Sequence, residues 1–291
     1  MLKTVLAVTA AVIVLSLIGV VALAFHQGRK APAGDPQYVA LGSSFAAGMG
    51  LGPRDPGSPF VCMRTLNGYP KQLALLRGLS LVDVSCSGAT TNSVLVGGKA
   101  FLRPQLDGLT ARTELVTLTI GGNDVGYVGD LTLLAARGQP SLLGWYARTI
   151  WKGPTPPGDR DYEKLGRSIS EILLQIRLRA PRAVIVVATY PTLLPPAGTC
   201  AKVGLQEKDV VTMRAVGDRL AEITKIAAGD HGAVVVDMNL LGSEHHVCSE
   251  EPWAYGVAPK NGMPFHPNAS GAIATAEAIL RALLDSTPAP R

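Results

Sequence analysis

Five short apolar runs, each closed by small or polar residues and separated by helix-like stretches, constrain this chain more than any other feature. They are Tyr38–Leu41, Ser80–Val84, Glu114–Ile120, Ala183–Ala188 and Ala233–Met238. The clearest helical pattern between them is Tyr162–Arg179, where Leu165, Ile169, Ile172, Leu173 and Ile176 share one face. In Asp209–Ala228 the stripe is Val216, Leu220, Ile223 and Ile226/Ala227. Asn268–Leu284 is Ala-rich, with Asn268 as its candidate N-cap. Such alternation implies an α/β fold, a parallel sheet covered by helices on both faces.

The ends of the chain are different in kind. Behind Lys3, Val5 to Phe25 is almost unbroken apolar sequence. About 20 such residues span a bilayer, yet Ala22-Leu23-Ala24 also offers the small-x-small site of a cleaved signal. Residues 1–25 therefore read as a signal peptide or a signal-anchor helix. Residues 26–37 read as a linker, 38–285 as one domain and 286–291 as a frayed tail. With 291 residues and 47% hydrophobic content, the chain can bury one full core. The net charge of +5 is scattered, with no basic run beyond Arg29-Lys30, which argues against a nucleic-acid partner.

Four cysteines, Cys62, Cys86, Cys200 and Cys248, show no C-x-x-C spacing, so no metal site is expected. An even count behind an export segment predicts two disulfides, with three pairings open. Disulfides persist outside the reducing cytosol. The domain is expected to be secreted or anchored on the outer face of the membrane, touching it only through the N-terminal segment.

A site in an open α/β sheet assembles at the carboxyl ends of the strands. Four blocks fall there: Gly42-Ser-Ser-Phe-Ala-Ala-Gly48, Cys86-Ser-Gly-Ala-Thr90, Gly121-Gly-Asn-Asp124 and Pro264-Phe-His-Pro-Asn268. Within them, Gly42–Gly48, Ser87-Gly-Ala-Thr90, Gly121–Asp124 and His266-Pro-Asn268 resemble in order and spacing the four blocks of the SGNH (GDSL-like) hydrolases, and the resemblance covers residues 38–284. It implies a three-layer α/β/α, flavodoxin-like sheet of five parallel strands in the order 2-1-3-4-5. It also implies hydrolysis of acyl esters, whether of small molecules or lipids, without a cofactor.

Residue by residue, Ser44 matches the family nucleophile. A serine hydroxyl needs a base within hydrogen-bond reach, and His266 matches that base. The N–H of Ser44, the N–H of Gly88 and the amide of Asn123 match the oxyanion donors. Two positions depart from the pattern. Ser43 stands where the family usually has Asp, and Met263 stands where an Asp often supports the histidine. A Ser44–His266 dyad is therefore expected, with a main-chain carbonyl, that of Met263, holding the imidazole; Glu250 or Glu251 is the alternative. The implied strand order pairs Cys62 with Cys86 and Cys200 with Cys248.

Substrate preference is less constrained. Trp145, Tyr146 and Trp151 in the insert 138–157, with Trp253, are candidate walls of an acyl pocket. An acyltransferase or carbohydrate O-deacetylase would use the same residues, and a non-catalytic binding module remains the rival of another class.

Overall fold

The computed structural model describes residues 2–32 and 34–285, so the tail at 286–291 lies outside the described residues. The strands are β1 (Tyr38–Gly42), β2 (Leu81–Asp83), β3 (Leu115–Thr119), β4 (Val184–Ala188) and β5 (Val234–Val236). They form one parallel sheet ordered β2-β1-β3-β4-β5. Its helices are α1 (Leu2–Arg29), α2 (Ser44–Ala47), α3 (Tyr69–Arg77), α4 (Thr91–Leu95), α5 (Tyr127–Ala136) and α6 (Leu142–Thr149). The chain continues through α7 (Tyr162–Arg179), α8 (Glu207–Asp230), α9 (Met238–Leu241) and α10 (Ala269–Asp285).

Successive strand side chains point to opposite faces, and the sheet uses both. Val39, Leu41, Val116, Leu118, Ile185 and Val187 pack towards α4, α5, α7 and α8. Tyr38, Ala40, Val186, Ala188 and Val236 pack towards α3 and α10. This two-sided burial is why β1 and β3 read as continuous apolar runs. The predicted face of α7 is buried throughout, and each such aliphatic side chain contributes about 2 kcal/mol. On α8 the stripe runs through Ala227, while Ile226 points to solvent.

The two edge strands are shorter than their apolar runs. Asp83 ends β2 by accepting from the Ser85 N–H at 3.0 Å and its hydroxyl at 2.6 Å, a local turn that competes with the ladder. Asp237 ends β5 by accepting from the Leu240 N–H at 3.1 Å, which caps α9. Asn268 caps α10 through the Gly271 N–H at 2.9 Å.

The leader departs from expectation. Helix α1 continues to Arg29, four residues past the predicted boundary, and its last turn is docked instead of free. The Gln27 side chain accepts from the Phe60 N–H at 2.8 Å, and the Gly28 carbonyl accepts from the Arg103 N–H at 3.2 Å. Glycine permits this approach, since a Cβ at Gly28 would lie 2.8 Å from the backbone of Phe101. The apolar body of α1 is exposed.

Disulfides join Cys62 to Cys86 and Cys200 to Cys248. The first links the connection after β1 to the loop after β2. The second links the connections that follow β4 and β5.

Candidate active site

Strand β1 ends at Gly42, whose φ of 141° favours glycine and where a Cβ would sit 2.4 Å from the Thr119 carbonyl oxygen. The Gln105 side chain clamps this peptide from the side. Its Oε1 accepts from the Gly42 N–H at 2.8 Å and its Nε2 donates to the Gly42 carbonyl at 2.9 Å. The chain then turns through Ser43 into α2, with Ser44 as the first helical residue. An N–H at that position has no acceptor within its own helix and faces outward.

Ser43 and Ser44 point to different partners. The Ser43 hydroxyl shares a 2.7 Å hydrogen bond with the Tyr190 hydroxyl, which also accepts from the Gly122 N–H at 3.2 Å. Tyr190 is fully buried, and burial drives its phenol well above the usual range. Ser43, at the position where the resemblance leads one to expect Asp, thus forms a neutral pair with Tyr190. Gly122 leaves room for it, because a Cβ there would come within 2.8 Å of the Tyr190 ring.

The Ser44 hydroxyl meets His266. Its Oγ lies 2.8 Å from the imidazole Nε2 across 222 residues of sequence. The histidine sits on an arm, 263–268, that runs antiparallel to 253–255 through the Phe265 N–H to Tyr255 carbonyl bond at 3.1 Å and the Tyr255 N–H to His266 carbonyl bond at 2.9 Å. Phe265 adopts φ 56°, a left-handed conformation rare for a bulky residue. Its side chain is fully buried, which holds that turn in place. The Phe45 ring lies 5.2 Å from the imidazole on one side and 4.5 Å from Tyr190 on the other.

The residue expected to orient the imidazole requires correction. His266 Nδ1 lies 2.9 Å from the carbonyl oxygen of Pro264. The Met263 carbonyl instead accepts from the His266 backbone N–H at 3.2 Å. The left-handed turn at Phe265 aims the Pro264 carbonyl back at the ring, one residue later than expected. Neither Glu250 nor Glu251 has its carboxylate on the imidazole; both side chains are exposed, and the Glu251 main-chain carbonyl lies 2.8 Å from His245 Nδ1. A Pro264 carbonyl acceptor selects the tautomer with the proton on Nδ1 and leaves Nε2 to accept from Ser44. Burial lowers the His266 pKa from its ordinary value, and the Pro264 bond partly offsets this.

The second and third blocks are tied to each other. Gly88 has φ 73°, which favours glycine, and it is exposed. The Lys99 ammonium donates to the Ser87 carbonyl at 2.5 Å, directly beside Gly88. Asn123 donates from Nδ2 to the Ala89 carbonyl at 2.8 Å, leaving its second amide hydrogen unspent there. Asp124 accepts from the Thr91 N–H at 3.0 Å and hydroxyl at 2.6 Å, so the third block is tied to the start of α4. Among the described residues no cluster of three or more His, Cys, Asp or Glu side chains is placed to hold a metal.

None of the four candidate wall aromatics is fully buried. Trp145 and Tyr146 are exposed on α6, Trp151 packs beneath the Arg137 guanidinium, and Trp253 stacks on His245 with centroids 4.1 Å apart. A cavity of about 370 Å³ lies between residues 27–32 and the β2 edge; it approaches the site through Ala89 and Lys99, and neither Ser44 nor His266 lines it. Gln105, Tyr190 and Lys99 stand outside the four blocks, and only tertiary contacts reveal their part and that of the Pro264 carbonyl.

Residues 40–273 match the GDSL-like Lipase/Acylhydrolase family. A Streptomyces rimosus lipase is 33% identical over 237 residues, covering 80% of this chain and 81% of its own. The crystal structure of the extracellular lipase from Streptomyces rimosus superposes with a TM-score of 0.68 at 30% identity, covering 86% of this chain and 99% of that one. Phospholipase A1 from Streptomyces albidoflavus NA297 gives a TM-score of 0.67 at 29% identity, covering 87% of this chain and 100% of its own.

Proposed function

Since the chain belongs to the GDSL-like Lipase/Acylhydrolase family and is a carboxylic ester hydrolase, we propose that Ser44 and His266 perform the reaction on lipid acyl esters outside the cytoplasm. The observation that carries this reading is the 2.8 Å contact between His266 Nε2 and Ser44 Oγ.

The Ser44 hydroxyl oxygen attacks the ester carbonyl carbon as its proton passes to His266 Nε2. The carbonyl oxygen takes the negative charge and is received by the N–H groups of Ser44 and Gly88 and by the amide of Asn123. His266 then returns the proton to the departing alcohol oxygen as the carbon–oxygen bond breaks, leaving acyl-Ser44. Water repeats the sequence in the second half, with its proton taken by His266, and releases the acid. Throughout, the Nδ1–H donates to the Pro264 carbonyl. A carbonyl fixes the tautomer but places no full negative charge beside the imidazolium, unlike the carboxylate of a triad.

Lipid esters are favoured as substrates by the similarity to two Streptomyces proteins, a lipase and a phospholipase A1. The N-terminal apolar helix and the two disulfides favour an extracytoplasmic location. The test is a panel of p-nitrophenyl esters of rising chain length, a phospholipid and an acetylated sugar, all given to the full chain. Faster turnover of the long-chain and lipid esters is expected. A preference for the sugar acetate would move the chain to carbohydrate deacetylation.

The pH dependence has a definite sign. His266 works as the neutral base, and its lowered pKa keeps that form present further into acid. The acid limb of kcat/KM should therefore have its midpoint below the ordinary histidine value of about 6.5. A kcat/KM profile from neutrality down into acid on a soluble short ester checks this, and a midpoint above the ordinary value would contradict it.

A further inference from the structure

Helix α6 is built inside out. A surface helix normally buries its large apolar side chains and exposes its polar ones. Here the body of the protein receives Gly144 and Ala147, while Leu142 is 86% exposed, Trp145 52% and Ile150, just past the end, 54%. Leu143 and Tyr146 are exposed as well. The close seat of the small face is enforced, since a Cβ at Gly144 would lie 2.1 Å from the Gln139 carbonyl oxygen. The large side chains therefore have no room to turn inward.

The charge of the segment that carries this face is one-sided. Between Asp130 and Asp159 the sequence has no acidic residue, whereas Arg137, Arg148 and Lys152 fall within it. Arg137 and Arg148 donate to the backbone carbonyls of Ala147, Arg137 and Gln139, and neither forms a salt bridge among the described residues. Leucines with Trp and Tyr beside basic residues are the composition that rests in the headgroup layer of a bilayer, with the basic side chains drawn to anionic lipid.

The face is also fixed relative to the site. The insert bearing α6 leaves the sheet just after Asn123 and is fastened back by Arg160, which donates to the Val125 carbonyl and pairs with Asp130 at 2.6 Å. Trp151, six residues before the end of the insert at 157, packs on the core.

We propose that the outward face of α6 is a lipid-surface docking element, which seats the domain on an anionic bilayer and presents the site to esters held there. The proposal rests on the reading of the chain as a lipid ester hydrolase outside the cytoplasm. Burying Leu142 and Trp145 in the headgroup region supplies binding energy in proportion to the apolar area removed from water.

The test uses the full chain reconstituted in mixed phosphatidylcholine and phosphatidylglycerol vesicles. An environment-sensitive dye is attached through Leu142→Cys, and through Leu178→Cys on the exposed side of α7 as the reference. Brominated lipids should quench the dye at 142 strongly and the dye at 178 weakly. Separately, the Leu142→Ser/Trp145→Ser variant should hydrolyse vesicle-borne ester about tenfold more slowly, with an unchanged rate on soluble p-nitrophenyl acetate. Equal quenching at the two positions, or no quenching at 142, overturns the proposal. So does shielding of the 142 dye that needs no vesicles and grows with protein concentration, which would identify a second copy as the occupant. If the unaltered chain fails on p-nitrophenyl acetate, the hydrolase reading fails, and the quenching comparison still decides the surface.

Discussion

Ser44→Ala abolishes acyl transfer, lowering kcat by about 10⁴-fold or more, while the folded domain is retained. The magnitude follows from the role: the covalent route disappears with the nucleophile, and only binding and the oxyanion donors remain to act on water. Ser44 makes one side-chain contact, to His266, so Ala leaves little unsatisfied: the imidazole keeps its Pro264 bond and loses one partner. The neighbouring Ser43→Ala is the control. It removes the bond to Tyr190 and not the attacking oxygen. Steady-state ester hydrolysis, with labelling by a fluorophosphonate, separates the two. Labelling of the Ser44→Ala protein at Ser43 would show that the nucleophile had been assigned to the wrong serine.

Asn123→Ala is expected to lower kcat by about 10²–10³-fold, the usual cost of one lost oxyanion donor. KM should change little, because the donor is needed where charge develops and not in the ground state. The substitution also removes the 2.8 Å bond to the Ala89 carbonyl, which helps hold the loop of Gly88. Asn123→Asp distinguishes the two contributions. It keeps the shape but puts an acceptor where a donor is required, so it should be at least as damaging to kcat. A kcat within about threefold of the parent for either variant would remove Asn123 from the oxyanion site.

The parts of this molecule that were readable in the chain are those dictated by local pattern. β1 and β3 are buried on both faces, so their apolar runs are unbroken, and the helical stripe of α7 repeats its own geometry. Ser44 and His266 were readable because each stands in a block at a strand's carboxyl end. The failures share a different cause. Whether Met263 or Pro264 faces the imidazole depends on a single positive φ at Phe265, and nothing in the residue type announces it. Gln105 and Tyr190 reach the site from 63 and 147 residues away from their partners in the first block, a distance only the fold spans. The insert's aromatics are candidates for a pocket because pockets are often aromatic-lined, but the small residues Gly144 and Ala147 take the inner side of α6 and leave Trp145 and Tyr146 exposed. Residues 26–37 carry the Gly, Pro and charge of a linker, but the first four continue α1, and Gly28 allows its close approach to Phe101.

That clasp at Gln27 and Gly28 has a practical corollary. Proteolytic trimming after Ala24 would leave a new amino terminus at Phe25, two residues before the grip of Gln27 on Phe60. Because Phe25 packs on Phe101 and Gly28 bonds to Arg103, a reporter grafted onto that terminus would begin against the body of the domain instead of swinging clear of it. Handles for immobilisation belong after α10, at the opposite end of the polypeptide.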